Sequence, residues 1–275
     1  MRLKGAFGIV TGSGRGIGRA IAQALAKEGM GVVLAARTAG QVEETRVSIE
    51  AAGGRAIAVP TDVTDAGAVG RMAKAALDEF GRIDLLVNNA GSFGAIGPVW
   101  EVDPAEWWRD VTTNLQGTFN CSRAVLPHMI ERGNGKIINM SGGGSAGPLP
   151  YGSAYGISKA GILRFTDTLA AECAGRGVEV YAMSPGLVRT AMTEFQIHSP
   201  EGRRWKPEIG RRFEEGADVP PTEAGRVAVF LATLPHGRLV GRAFGVADDL
   251  DWIAGHVDEI LEHDLHVLRL RRAQA

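Results

Sequence analysis

The stretch AFGIVTGSGRGIG, residues 6–18, joins two patterns in one segment. Ala6–Val10 is a short apolar run of the kind that forms a buried strand. From Ile17 the apolar residues recur at helical spacing, at Ala20, Ile21, Ala24 and Leu25, and Gly29 closes the run. Between them lies a turn too rich in glycine for either element. A strand that passes through such a turn into a helix opens a βαβ unit. The turn places unpaired helix N–H groups and the positive end of the helix dipole together, and a pyrophosphate fits there. Gly12, Gly16 and Gly18 let the backbone turn sharply and approach that group without a Cβ. Ser13, Arg15 and Ile17 share the loop and are candidate cofactor contacts with them. The spacing reads TGxxxGxG, not GxGxxG, and a tight turn alone also calls for glycine.

The alternation continues. Further strands are expected at Val32–Ala36, Ala56–Pro60, Leu85–Val87, Lys136–Met140, Val178–Met183 and Ala243–Val246. Helices are expected from Thr38 through Ala51 and over Ala66–Phe80, Ala105–Glu131, Ala154–Glu172 and Glu223–Leu234. This predicts an α/β fold: a Rossmann-like, doubly wound, seven-stranded parallel sheet with helices on both faces. No break in composition divides the chain, so residues 1–275 read as one domain. Residues 191–221 are polar and interrupted by Pro and Gly, which suits a substrate lid. The extension over 248–275 holds a helix-like run (Ile253, Val257, Ile260, Leu261), then a strand-like one at Leu265–Leu270, and is expected to face a partner subunit.

Bulk composition narrows the function. The 275 residues are 45% hydrophobic with a net charge of −1, so no global field favours nucleic acid or an anionic membrane. No run approaches the roughly 20 apolar residues of a membrane span. The first apolar run is too short for a signal peptide, and a soluble, cytoplasmic protein is expected. Two cysteines, Cys121 and Cys173, exclude a disulfide scaffold, and the six histidines show no metal-binding spacing.

A site for NAD would place an acid after the second strand, on the ribose 2′-hydroxyl. Here Arg37 follows Ala36. Arg15 in the glycine loop approaches the same place, and two cations suit a 2′-phosphate. NADP(H) is therefore preferred to NAD(H). The alternative is two solvated surface arginines.

Tyr155 and Lys159 stand four apart and share a helix face just after the fifth strand. A phenol with a pKa of about 10 is a poor acid or base at neutral pH, and a nearby ammonium stabilises its anion. A Tyr so tuned protonates a carbonyl oxygen as hydride arrives.

With these motifs in order, the chain resembles the short-chain dehydrogenases/reductases over roughly residues 5–247. The resemblance rests on TGSGRGIG, on Asp62-Val63, on NNAG at Asn88–Gly91, on Asn114, on Tyr155 and Lys159, and on SPGLVRT at Ser184–Thr190. It implies that Tyr155 is the proton donor or acceptor. Lys159 would hold the nicotinamide-ribose hydroxyls and lower the Tyr155 pKa, and Asn114 would anchor a water in a proton relay. Asp62 and Val63 would flank the adenine. Asn89, Ala90 and Gly91 would line the cofactor channel. Pro185, Gly186, Val188 and Thr190 would lie at the carboxamide end. It also implies a homo-oligomer, tetramer or dimer.

One position departs from the family. Its catalytic serine usually stands thirteen residues before the Tyr, and here that residue is Gly142. Ser141 stands one earlier. Either the glycines that follow absorb an extra residue and restore Ser141, or the usual hydroxyl is absent, with Ser145 and Ser153 as weaker substitutes. Ser141 is taken as the catalytic hydroxyl. Phe93, Ile96, Leu149, Tyr151, Met192 and Phe195 are expected to give an apolar pocket for a small carbonyl or alcohol, or else simply to close the core beneath the lid. Trp107 and Trp108 are expected in packing or subunit contact. The reading from another class is a nucleotide-binding regulatory or scaffold protein whose chemistry is impaired by Gly142.

Overall fold

Val32, Val33, Leu34 and Ala35 are all fully buried, so strand β2 (Gly31–Ala36) has no solvent face. Such a run needs cover on both sides, which parallel sheets provide with their crossover helices. The computed structural model describes residues 1–235 and 237–269. Among them β2 pairs with β1 (Phe7–Thr11), β3 (Arg55–Pro60), β4 (Leu85–Asn88), β5 (Gly135–Met140), β6 (Val178–Ser184) and β7 (Ala243–Gly245) complete one parallel sheet in the order 3-2-1-4-5-6-7. This is the doubly wound sheet the alternation predicts. The winding reverses between β1 and β4, and a crevice opens at their carboxyl ends.

Neighbouring strand residues point to opposite faces. Val10, Leu34, Val87 and Ile138 therefore meet Ile21 and Leu25 of α1 (Gly16–Lys27) and Val227 and Leu231 of α10 (Pro221–Thr233). Ile9, Val33, Leu86 and Ile137 face the other core, with Met72 of α3 (Ala66–Phe80), Met129 of α5 (Gly117–Glu131) and Leu169 of α6 (Ser153–Glu172). Cys121 and Cys173 are buried there as free thiols. Helix α2 (Ala39–Ala51) follows β2, and its Val42 and Ile49 join the first core.

Three segments differ from expectation. The single helix over Ala105–Glu131 is α4 (Pro104–Val111), a π-helical turn at Thr112–Gln116, and then α5. The 191–221 segment contains α7 (Ala191–His198), α8 (Pro200–Trp205) and α9 (Pro207–Glu214). Pro200 and Pro207 stand in the first turn of their helices, where a missing N–H costs nothing, so prolines that read as interruptions start helices instead. In the tail, α11 (Leu250–Gly255) and α12 (Val257–Glu262) bury Leu250, Ile253 and Ile260 in this chain's own core. That apolar face is thus already covered without a partner. Leu265–Arg269 forms no strand, although the Ala243 N–H donates to the His266 carbonyl at 2.8 Å. Leu270 and the residues after it lie outside the described residues. No helix among the described residues is long and apolar enough to cross a membrane.

The two helices of the first core approach closely at Gly225. A Cβ there would stand 2.8 Å from the Ala24 Cβ and 3.2 Å from the Ala20 carbonyl oxygen. We expect Gly225→Val to push α10 off α1 at a cost of about 1–3 kcal/mol and to lower Tm by about 5 °C. An unchanged Tm in calorimetry would show that the contact has slack.

Candidate active site

The crevice is built where β1 ends. Thr11 Oγ1 donates to the Val87 carbonyl at 3.3 Å and accepts the N–H groups of Asn89 and Ala90, each at 3.0 Å. Asn89 Nδ2 returns the link, donating to the carbonyls of Thr11 at 2.8 Å and Gly12 at 3.3 Å. The two loops are thereby drawn together, and glycine is what fits between them. A Cβ at Gly18 would lie 2.3 Å from the Gly12 carbonyl oxygen, and one at Gly12 would lie 2.8 Å from Asn89 Nδ2. Arg15, the residue before α1, makes no side-chain cap, so the first helix N–H groups face the crevice. Ser13 is fully buried beneath the loop and its Oγ is unpaired.

A cleft of about 580 Å³ runs from this loop to Tyr155. At its far end Arg15 and Arg37 are exposed, and among the described residues no hydrogen bond or ion pair between side chains holds either one. Asp62 accepts the N–H and hydroxyl of Thr64 at 2.9 and 2.8 Å. Burial raises its pKa, but those two bonds and the Arg37 charge outweigh it and leave the carboxyl below its ordinary value. Val63 packs on Gly117, and its carbonyl accepts Asn120 Nδ2 at 2.9 Å. A crowded glycine cradle at a helix start, with unpaired cations beside it, fits a nicotinamide dinucleotide.

Tyr155 and Lys159 lie one turn apart on α6, at the near end. Lys159 is buried and donates to the Met140 carbonyl at 2.8 Å, with Nζ 5.3 Å from the Tyr155 ring centre. Burial pushes its pKa down to about 8. The phenol moves opposite to the sequence expectation: burial, helped by the Asp110 charge, pushes it up to about 12. Desolvation outweighs an ammonium that is itself desolvated and tied to a main-chain carbonyl.

Asn114 sits in the π-helical turn behind the cleft wall. Its Nδ2 donates to the Ser92 carbonyl at 2.9 Å and Ser158 Oγ at 3.0 Å, and its Oδ1 accepts the Ser92 N–H at 2.8 Å. Gly91 fills the gap in front: a Cβ there would stand 3.0 Å from Asn114 Oδ1 and 3.9 Å from Lys159 Nζ.

After the end of β5 the chain passes the phenol at Gly142 and at Ser141 beside it. Position 142 faces the phenol directly, since a Cβ on Gly142 would lie 2.8 Å from Tyr155 Oη. Ser141 lines the same cleft with Met140, Tyr155 and Lys159. Ser145 Oγ is engaged with the Gly142 carbonyl at 2.7 Å, and Ser153 Oγ accepts Trp107 Nε1 at 2.9 Å.

Of the remaining predicted residues, Gly16, Ile17, Ala90, Pro185 and Thr190 line the cleft. Gly186 and Val188 adjoin it in the turn after β6: a Cβ on Gly186 would meet Val246 Cγ2 at 2.7 Å, and Val188 is buried. Phe93, Met192 and Phe195 form the apolar wall, whereas Ile96 and Leu149 do not reach it. Tyr151 stacks on Trp205 instead, with ring centres 5.0 Å apart. Arg109, Thr113 and Arg189 line the cleft without having been anticipated. Their only sequence signal is proximity to Asn114 and to the SPGLVRT segment.

The comparisons with known proteins agree with this geometry. A family model described as short chain dehydrogenase matches residues 7–200. A short-chain reductase protein, NovJ, of Streptomyces niveus is 40% identical over 243 residues, which span 86% of this chain and 91% of that protein. Among solved structures, a metagenomic short-chain oxidoreductase in complex with NADP is 32% identical with a TM-score of 0.70, over 86% of this chain and 93% of that one. An NAD⁺-bound xylitol dehydrogenase is 28% identical with a TM-score of 0.83, over 89% of this chain and 98% of that one. The chain belongs to the short-chain dehydrogenase/reductase family.

Proposed function

We propose that the protein is an NADP(H)-dependent oxidoreductase that reduces a small, largely apolar carbonyl compound and, in reverse, oxidises the alcohol. The observation that carries this reading is Tyr155 on the cleft wall, its pKa pushed up to about 12 beside Lys159. Such a phenol holds its proton at neutral pH and is a donor for a carbonyl oxygen. Bound nicotinamide supplies the hydride to the carbonyl carbon, or removes it from the alcohol. Tyr155 Oη gives its proton to the oxygen as charge develops there. Lys159 would hold the ribose hydroxyls of the bound cofactor, and Asn114 fixes the wall behind it through Ser92 and Ser158. Ser141 is proposed as the cleft hydroxyl, because Ser145 and Ser153 are both engaged elsewhere. Phe93, Met192 and Phe195 support an apolar substrate.

The preference for NADP(H) rests on Arg15 and Arg37, the unpaired cations where a carboxylate would serve NAD(H). A homo-oligomer, tetramer or dimer, is supported by exposed Trp108, Phe119 and Ile157 on α4 to α6. A cytoplasmic location is supported by its two reduced, buried cysteines.

Two outcomes are expected. Tyr155→Phe lowers kcat about 10²–10⁴-fold, and Ser141→Ala lowers it about tenfold or more, while fluorescence titration finds NADPH affinity retained. Full turnover by Tyr155→Phe removes the phenol from the chemistry, and unchanged turnover by Ser141→Ala removes the serine. An inactive wild type that binds NADPH tightly, across a broad carbonyl and alcohol panel, would favour the regulatory reading. Separately, Arg37→Asp weakens NADPH about 10–100-fold and leaves NADH nearly unchanged, as expected for a lost charge-assisted bond. An unchanged preference refutes the role of Arg37.

A further inference from the structure

Asp110, in the last turn of α4, has no exposed surface. No lysine, arginine or histidine pairs with it among the described residues. Its partners are one hydroxyl and two main-chain amides. Ser92 Oγ donates to Oδ1 at 2.5 Å, the Gly94 N–H to Oδ2 at 2.8 Å and Oδ1 at 3.1 Å, and the Ala95 N–H to Oδ2 at 2.9 Å. Leaving a charge buried without a counter-ion is expensive. An acceptor-only group is what three converging donors need, and an amide NH₂ would set donor against donor.

What those donors hold is the segment carrying Phe93. Asn114, four residues on, grips Ser92 at its N–H and carbonyl, so the segment is fixed from two successive turns. Phe93 is buried and lies flat on Tyr155, with ring centres 4.4 Å apart and planes 12° from parallel. Its outer edge is closed by Gly152, where a Cβ would stand 2.6 Å from Phe93 Cζ.

We propose that Asp110 is a positioning residue for Tyr155: its buried carboxylate fixes the Ser92–Ala95 segment and, through the stacked Phe93 ring, sets where the phenol stands in the cleft. This rests on the reading of Tyr155 as the proton donor. The Asp110 charge acts in the same sense as burial and favours the protonated phenol. Lys159, on the same helix, lies over the Tyr155 ring, and Arg109 and Arg189 line the same cleft, the first bound by Glu106 and the second by Glu194. Beyond the end of β5, Gly142 faces the phenol and the uncharged Ser141 lines the cleft beside it.

Asp110→Asn removes the charge and one acceptor, Ser92→Ala removes one bond and keeps the charge, and Phe93→Leu removes the stack. Asp110→Asn is expected to lower kcat about tenfold or more with NADPH affinity unchanged. Removing a negative charge lowers the phenol pKa, so the alkaline limb of carbonyl reduction moves to lower pH, by about half a unit or more. Ser92→Ala should cost a few-fold in kcat and move no limb. The double variant Asp110→Asn/Phe93→Leu should lose little more than the worse single one, because both act on one contact. Independently of turnover, amide exchange at Gly94 and Ala95 should speed up in Asp110→Asn. Unchanged kcat and pH limb, fully multiplicative losses in the double variant, or unchanged amide protection would each overturn the proposal. If Asp110→Asn does not fold, Ser92→Ala and Phe93→Leu still decide, since unaltered kcat in both breaks the chain of contacts. A wild type inactive on every carbonyl sinks the proposed function alone, and the exchange measurement still judges the clamp.

Discussion

Asn89 Nδ2 donating to the Thr11 and Gly12 carbonyls is the contact on which the rest of the site depends. It ties the loop after β4 to the loop after β1, the two strands between which the winding reverses. Thr11 Oγ1 closes the same joint from the other side. With the joint made, only hydrogen fits at Gly12 and Gly18, and α1 starts with its free N–H groups facing the crevice. The same joint fixes where residues 90–95 begin, and those residues form the wall that reaches Tyr155. The glycine turn and the wall at Tyr155 are therefore set by one pair of side chains, not by two separate loops.

The acid at the other end is governed by desolvation. A lysine one turn away would lower a solvated phenol, yet here the lysine is enclosed and its ammonium is bound to the Met140 carbonyl. Low polarity around the phenol favours its neutral form, and the Asp110 carboxylate adds to that preference. A donor is what the proposed carbonyl reduction needs, and a protonated phenol is in that form. Lys159, pushed down to about 8, stays mostly charged at neutral pH despite its burial.

The sheet, its order of elements and most of the cleft were legible because strand and helix periods differ and each glycine motif follows a strand. Arg37, Tyr155 and Lys159 were legible for the same reason, since a strand end or a helix face fixes their direction. What stayed hidden depends on distances between segments far apart in sequence. The packing of the turn at Gly186 on Val246 and the burial of Val188 also depend on distant segments. Prolines at 200 and 207 read as breaks, although proline in a first helical turn is compatible with a helix. The π-helical turn at Asn114 has no periodic signature over five residues. The sign of the Tyr155 shift was out of reach as well: spacing gives the neighbour but not the solvent around it.

Asp110 is the clearest case of a function that composition conceals. In sequence it is one acidic residue on a polar stretch of helix, where a solvated surface carboxylate is the ordinary expectation. In the fold it is enclosed, and among the described residues its partners are Ser92, Gly94 and Ala95, while Lys159, another buried charge near the phenol, is bound to Met140. Two opposite charges that touched would cancel much of each other's field at Tyr155. Kept apart, they serve different partners: the carboxylate takes the N–H groups of Gly94 and Ala95, and the ammonium takes the Met140 carbonyl. Each charge thus holds main chain in place near Tyr155. The ring stacks on the neutral Phe93 and has a close approach at Gly142 where a side chain would otherwise stand.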